Sequence, residues 1–287
     1  MVLCAGLGTR LRPLTLELPK PMVPVGDRPL FAHIAAALQG AGFSELVINT
    51  HHLPEAFTNV GEEFGIELQA VHEPVIRGTA GGVAGVRERF GAPPVLVWNG
   101  DIWVEPPITE LLAAAGDGLA LAVRVRPRGQ GTVGLDANGH VVRLRGESFD
   151  DEHSGGDYVG VLALGARVLA ALPSEGCLIG DVALPELRAG RGVRSVAIQG
   201  DFHDAGGPDE YLELNLRWLA GRSHWCGPGA EVGSGVELDR VLLGAGARVV
   251  GQGRLSRVVA WPGAVVEAPL ADAIVTGGGR VVRVHSR

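Results

Sequence analysis

Along the first half of this 287-residue chain, short apolar runs alternate with segments whose apolar positions recur at helical spacing. An apolar run from Val2 breaks at Gly6-Leu7-Gly8, which reads as a strand leading into a glycine loop. Leu30 to Ala41 carries the spacing of an amphipathic helix that Gly42 ends, and Glu45 to Asn49 reads as the next strand. Pro94 to Trp98 is another short strand, and it runs straight into Asn99-Gly100-Asp101. Such alternation predicts an α/β, doubly wound, Rossmann-like sheet. Ligands gather beyond the carboxyl ends of the strands in a sheet of that kind, so Gly6, Asn49 and Asp101 are expected along one rim.

From about Cys226 the pattern changes. Glycine pairs recur at Gly227/Gly229, Gly233/Gly235, Gly244/Gly246 and Gly251/Gly253. Apolar residues return at a hexapeptide period, at Val232 and Leu238 and then at Leu243, Val249, Leu255 and Trp261. That period predicts a short parallel β-helix, with room for only about three coils. The spacing slips between Leu238 and Leu243, and so few coils need a covering surface. The tail is therefore expected to lean its apolar wall, Trp261 included, on the preceding domain or on a second copy in a homo-oligomer, while the chemistry upstream assembles without it. The expected division is 1–222 and 223–287.

Composition narrows the function classes. A hydrophobic content of 46% supports a sizeable core, and a net charge of -7 argues against a general nucleic-acid or anionic-membrane binder. No apolar run approaches membrane-spanning length and no basic region precedes a hydrophobic stretch at the N-terminus, so a cytoplasmic location is expected. Cys4, Cys177 and Cys226 lack metal-ligand spacing and read as buried small residues. His51-His52 reads as rim packing, and His224 and His285 have no recognisable catalytic partner.

Of 25 basic residues one is lysine, Lys20, in Pro19-Lys20-Pro21. A chain that otherwise writes arginine keeps a lysine where a compact ammonium fits and a planar guanidinium does not. Upstream, Gly6-Leu7-Gly8-Thr9-Arg10 can turn backbone N–H groups around phosphate oxygens, yet Leu11 stands where a dinucleotide fingerprint needs its third glycine. Asp101, at the mouth of a strand, can hold Mg²⁺ against phosphate oxygens, and a second acid is expected from elsewhere. His72-Glu73-Pro74 precedes Arg77-Gly78-Thr79-Ala80-Gly81-Gly82, a helix start with Thr79 as its N-cap. A carboxylate at Glu73 could accept the paired N–H edge of guanine.

Gly6-Leu7-Gly8-Thr9-Arg10, Pro13-Leu14-Thr15 and Pro19-Lys20-Pro21 together resemble the signature of the sugar-1-phosphate nucleotidyltransferases, the NDP-sugar pyrophosphorylases. The resemblance runs over essentially the whole chain, and implies a Rossmann-like domain with a left-handed β-helix appended. It implies nucleotide contacts at Ala5, Gly6, Gly8, Thr9, Glu73, Gly78 and Thr79, catalytic roles for Lys20 and Arg10, and Mg²⁺ on Asp101 and Asp204. Asp204 lies in Phe202-His203-Asp204-Ala205-Gly206-Gly207-Pro208, where Phe202 and Gly207 replace the family's Trp and Thr. On the sugar side it implies Gly134, Glu147, Gly160 and Asp181, and Asp157 and Asp181 read equally as sugar-hydroxyl ligands or as solvated loop acids. Ser148 stands where the family carries a second lysine, so that cation is expected to be absent or to be replaced by Arg143 or Arg145.

The implied reaction joins an NTP and a sugar 1-phosphate, with GTP and mannose 1-phosphate favoured. A UTP-dependent enzyme acting on an amino-sugar 1-phosphate such as N-acetylmuramic acid 1-phosphate, and a non-catalytic homologue that binds a nucleotide sugar, are the alternatives.

Overall fold

A computed structural model describes residues 1–284, and these divide into two compact units: Met1–Gly6 with Ala35–Phe202, and Leu7–Ile34 with the chain from His203 onward. The Lys20 segment thus belongs to the same compact unit as the β-helix. No helix among the described residues is long and apolar enough to cross a membrane.

In the first unit, Val95–Asn99, Val2–Leu3, Glu45–Thr50 and Glu67–His72 run parallel in that order. Val-Leu-Val-Trp and Leu-Val-Ile are buried throughout, as strands covered on both faces must be. Leu3 sits between Asn49 and Asn99 in register, which brings Cys4–Gly6, Thr50 and Gly100–Asp101 past one edge of the sheet. The Gly100 N–H donates to Leu3 O at 2.9 Å and fixes the turn that carries Asp101. The helix Leu30–Gly40 lies close to its expected bounds, and its residues up to Ile34 belong to the second unit.

Beyond Val95–Asn99 the sheet becomes antiparallel, an extension that strand and helix alternation does not foretell. The long strand Ser154–Leu164 pairs antiparallel with Val95–Asn99, Leu119–Arg126 and Val133–Leu135, and Val193–Ala197 adds to Leu119–Arg126 in parallel. Its register shifts between Tyr158 and Leu162 around Gly160, whose φ of 76° is open to glycine at little cost.

The second unit contains the helix Pro208–Trp218 and the β-helix. Strands His224–Cys226, Val236–Leu243, Arg248–Ala260 and Val265–Val275 stack in parallel, and Val281–Arg283 closes the stack antiparallel. Leu243, Val249 and Leu255 point inward with Val241, Val258 and Val266, as the apolar period predicts. Val232, by contrast, is 39% exposed. The spacing slip has a physical cause in a corner: Arg240, Arg257 and Asp272 all take positive φ on successive coils. The coil step also shortens, from Val241 opposite Val258 to Val258 opposite Ala273, so one fixed period does not describe the stack.

Of the cysteines only Cys4 is buried; Cys177 is half-buried and Cys226 exposed, which corrects the expectation of three buried small residues. His285 lies outside the described residues.

Candidate active site

In the second unit the glycine loop is shaped by steric necessity. Gly8 adopts φ 58°, and a Cβ there would lie 2.7 Å from Thr15 Cγ2 and 3.4 Å from Lys20 Cβ. Its carbonyl accepts the Thr15 hydroxyl at 2.9 Å and the Leu11 N–H at 3.0 Å, closing the turn Thr9–Leu11. Pro19 and Pro21 bracket Lys20 and predispose the short helical turn Lys20–Met22. Lys20 is only 6% exposed. A charge so placed needs a partner, and Nζ donates to Asp204 Oδ1 at 2.8 Å. Arg10, its side chain 71% exposed, reaches the other oxygen at 3.1 Å. Two cations on one carboxylate leave a net positive charge beside the glycine loop, a setting suited to phosphate. Gly206 leaves room for this, because a Cβ there would come within 3.1 Å of Arg10 Nη1.

In the first unit Glu73 is a buried carboxylate, 5% exposed. Its Oε1 accepts from Asn49 Nδ2 at 2.9 Å, its Oε2 from the Arg77 N–H at 3.4 Å, and Asn49 Oδ1 accepts from the Cys4 N–H at 2.9 Å. One polar chain thereby joins the start of the glycine loop to the Gly78–Thr79 segment. His51 Nδ1 lies 2.7 Å from Glu73 O, and its ring stacks with that of His72 at 6.2 Å, in keeping with a packing role. The helix Gly78–Ala84 has Arg77 as its N-cap, not Thr79. The Thr79 hydroxyl is committed across the fold, accepting from the Leu178 N–H at 2.8 Å. Gly78 is forced: with φ 75°, a Cβ there would sit 2.4 Å from Gly176 O.

Ala5 is buried, whereas a Cβ on Gly6 would meet nothing within 4 Å, so the loop opens to free space there. Thr9 is exposed. Asp101, partly exposed after its turn, adds to burial in holding the Cys4 thiol and the Tyr158 hydroxyl well above their ordinary pKa values.

The sugar-side residues divide by what holds them. Glu147 pairs in the open with Arg188, Nε to Oε2 at 3.0 Å, and that hydrogen bond lowers its pKa. Asp181 Oδ2 accepts the Cys177 N–H at 2.7 Å as a local turn cap. Gly134 and Gly160 are demanded by packing, since Cβ atoms there would lie 2.6 Å from Glu152 Oε2 and 2.8 Å from Ile102 Cγ1. Asp157 is taken by Arg126 at 2.7 Å and Arg124 at 3.4 Å. Of the two arginines expected to replace a lysine, Arg143 is spent on Glu152 and on the carbonyls of Gln130, Gly131 and Val133. Arg145 is exposed, at φ 53°, and its Nη2 lies 3.6 Å from Cys177 Sγ beside Gly180. Among the described residues no three His, Cys, Asp or Glu side chains cluster as a metal nest.

Residues 1–146 match the family model described as nucleotidyl transferase, and this span contains the glycine loop, Lys20 and Asp101. The chain belongs to the nucleotidyl transferase family. Its motifs and its relatives make it a sugar-1-phosphate nucleotidyltransferase. This transferase is 29% identical over 297 residues to a probable mannose-1-phosphate guanylyltransferase 1 from Oryza sativa subsp. japonica, covering 98% of the chain and 82% of the relative. It is 33% identical over 170 residues to the mannose-1-phosphate guanylyltransferase of Mycobacterium tuberculosis, over 55% of the chain and 47% of the relative. With the Arabidopsis thaliana mannose-1-phosphate guanylyltransferase 1 it shares 28% identity over 74% of the chain and 62% of the relative. The fold is that of HddC from Yersinia pseudotuberculosis, with a TM-score of 0.63, 19% identity, and 76% of this chain and 97% of that one superposed.

Proposed function

We propose that this transferase condenses a sugar 1-phosphate with a nucleoside triphosphate, mannose 1-phosphate with GTP foremost, to give an NDP-sugar and pyrophosphate in the cytoplasm. The observation that carries the reading is the buried Lys20 ammonium paired with Asp204 beside an exposed Arg10 and a glycine loop. A sugar-phosphate oxygen attacks the α-phosphorus, and the bond from that phosphorus to the bridging oxygen of the β-phosphate breaks. The nucleophile is already an anion, so the reaction needs no general base and no covalent intermediate. What it needs is alignment of two polyanions and relief of their repulsion.

In this reading Lys20 offsets charge where the two phosphates meet, and Arg10 with the N–H groups of the open loop at Gly6–Thr9 holds the leaving pyrophosphate. Asp101 and Asp204 are the carboxylates proposed to hold Mg²⁺, a cation that takes one or two carboxylates, and Asp204 would have to release Lys20 or Arg10 to do so. Held there, the ion would supply positive charge to the triphosphate.

Glu73, bonded on both oxygens, acts through the loop it holds. The choice of guanine therefore leans on the named activity of the relatives and not on a free carboxylate edge. Sugar contacts are assigned to Glu147, Asp181 and the strands around Gly134 and Gly160, with Arg145 as the remaining cation. A panel of nucleotides crossed with sugar 1-phosphates, scored by product mass, tests the proposal. Product from UTP and N-acetylmuramic acid 1-phosphate alone would replace the substrate pair, and absence of Mg²⁺-dependent pyrophosphate release from every pair would favour a binding homologue.

A further inference from the structure

The Lys20 segment is anchored on both sides to the β-helix side of its own unit. Three residues before Lys20, Glu17 Oε1 accepts the Thr276 hydroxyl at 2.6 Å, and Oε2 accepts the Gly278 N–H at 3.1 Å. Arg280 stands 3.8 Å from the same carboxylate. Thr276 is fully buried and its hydroxyl also accepts the Arg280 N–H at 3.1 Å, so the turn that grips Glu17 is held from within.

After Lys20 the Pro24 carbonyl accepts the Tyr211 hydroxyl, and that hydroxyl accepts Trp261 Nε1–H of the β-helix at 2.9 Å. Asn215 Oδ1 takes the Gly26 N–H at 2.9 Å. Gly26 itself tolerates no side chain, since a Cβ would lie 2.0 Å from Trp218 Cε2.

We infer that the β-helix is a brace for the phosphate-handling segment, and that Glu17, Thr276 and Trp261 are positioning residues that hold Lys20 on Asp204. The physical ground is the cost of a displaced cation. A buried ammonium works only at one distance and angle, and the short turns Leu14–Leu16 and Lys20–Met22 contain few hydrogen bonds of their own. Anchors on both flanks supply the rigidity that the local turns lack. On this inference the upstream chemistry depends on the tail, against the expectation that it assembles without it. The catalytic consequence rests on the proposed role of Lys20; the structural claim does not.

Because Lys20 is the single lysine, its acetylation by an amine-directed reagent, followed on the peptide by mass spectrometry, reports its environment without any turnover. In full-length protein, Glu17→Ala and Thr276→Val should each speed Lys20 acetylation by about fivefold, with the double variant no faster than the faster single, as expected for one shared interaction. Glu17→Gln, which keeps an acceptor for Thr276, should recover part of the protection. The same variants should lower kcat by about tenfold while KM for both substrates stays within about twofold, since an interaction felt mainly in the transition state is disturbed. Trp261→Phe, which removes the N–H donor and keeps an aromatic ring, serves if the Glu17 variants do not fold. Unchanged acetylation in folded variants, or additive effects in the double variant, would overturn the brace. A wild-type protein without turnover on any substrate pair would sink the proposed function and leave the acetylation result to decide the brace.

Discussion

Lys20 and Asp204 stand 184 positions apart in the chain and 2.8 Å apart in space, Nζ to Oδ1. The side chain of the lysine is 7% exposed and that of the aspartate 33%, so the pair shows its carboxylate and shelters its ammonium.

Lys20→Arg should lower turnover by on the order of a hundredfold with the fold retained, because charge is kept while a wide planar guanidinium replaces the compact, 7% exposed ammonium that meets Asp204. Steady-state kinetics with circular dichroism checks this. Turnover close to wild type would remove Lys20 from the proposed mechanism.

Asp204→Asn leaves Lys20 without its neutralising carboxylate and should cost roughly 1–2 kcal/mol of stability, discounted for the partial exposure of the aspartate. Asp101→Asn should cost little stability. Both should reduce turnover far more than they weaken sugar-phosphate binding, because the charge they organise matters most at the reacting phosphorus. Thermal melts and calorimetry beside kinetics separate the two effects. Equal stability loss in both variants would contradict the different settings of the two carboxylates.

Gly82→Ala would place a methyl group 2.7 Å from Asn49 Nδ2 and 2.9 Å from Glu73 Oε1, inside van der Waals contact with both members of a buried pair. Prising that pair apart should cost about 2 kcal/mol and raise KM for the nucleotide. A melt and a nucleotide titration on the variant are the checks; an unchanged KM would mean that the Asn49–Glu73 chain does not shape the nucleotide site.

The three thiols should react in an order set by their surroundings. Burial raises the Cys177 thiol, but the N–H groups of Gly180 and Ile179, the Thr79 hydroxyl and Arg145 outweigh it and leave its pKa below the ordinary thiol value. Burial alone raises Cys226, and burial with Asp101 raises Cys4. A lowered pKa means that thiolate is already present at a pH where an ordinary thiol is still protonated, so near pH ~8 iodoacetamide should modify Cys177 first although Cys226 is more exposed. Peptide mapping over a time course gives the order, and Cys226 reacting ahead of Cys177 would count against it.

Much of this was legible in residue order because the signals are local. A strand of Val-Leu-Val-Trp ending in Asn-Gly-Asp, a Gly-Leu-Gly turn and a recurring glycine-spaced period each act over a few residues, so pattern alone yields the Rossmann-like half and the β-helix. Residue order could not say which partner each polar group would find. Glu73 reads as a free base-reading carboxylate, yet Asn49 and the Arg77 N–H hold it; Arg143 and Arg145 read alike, yet four acceptors consume one and the other stays exposed. Glu17 and Thr276 carry no motif at all, and their bond spans 259 positions. Propensity and periodicity are properties of neighbours along the chain. Hydrogen bonds, ion pairs and burial depend on where distant segments meet, and only the folded chain decided those.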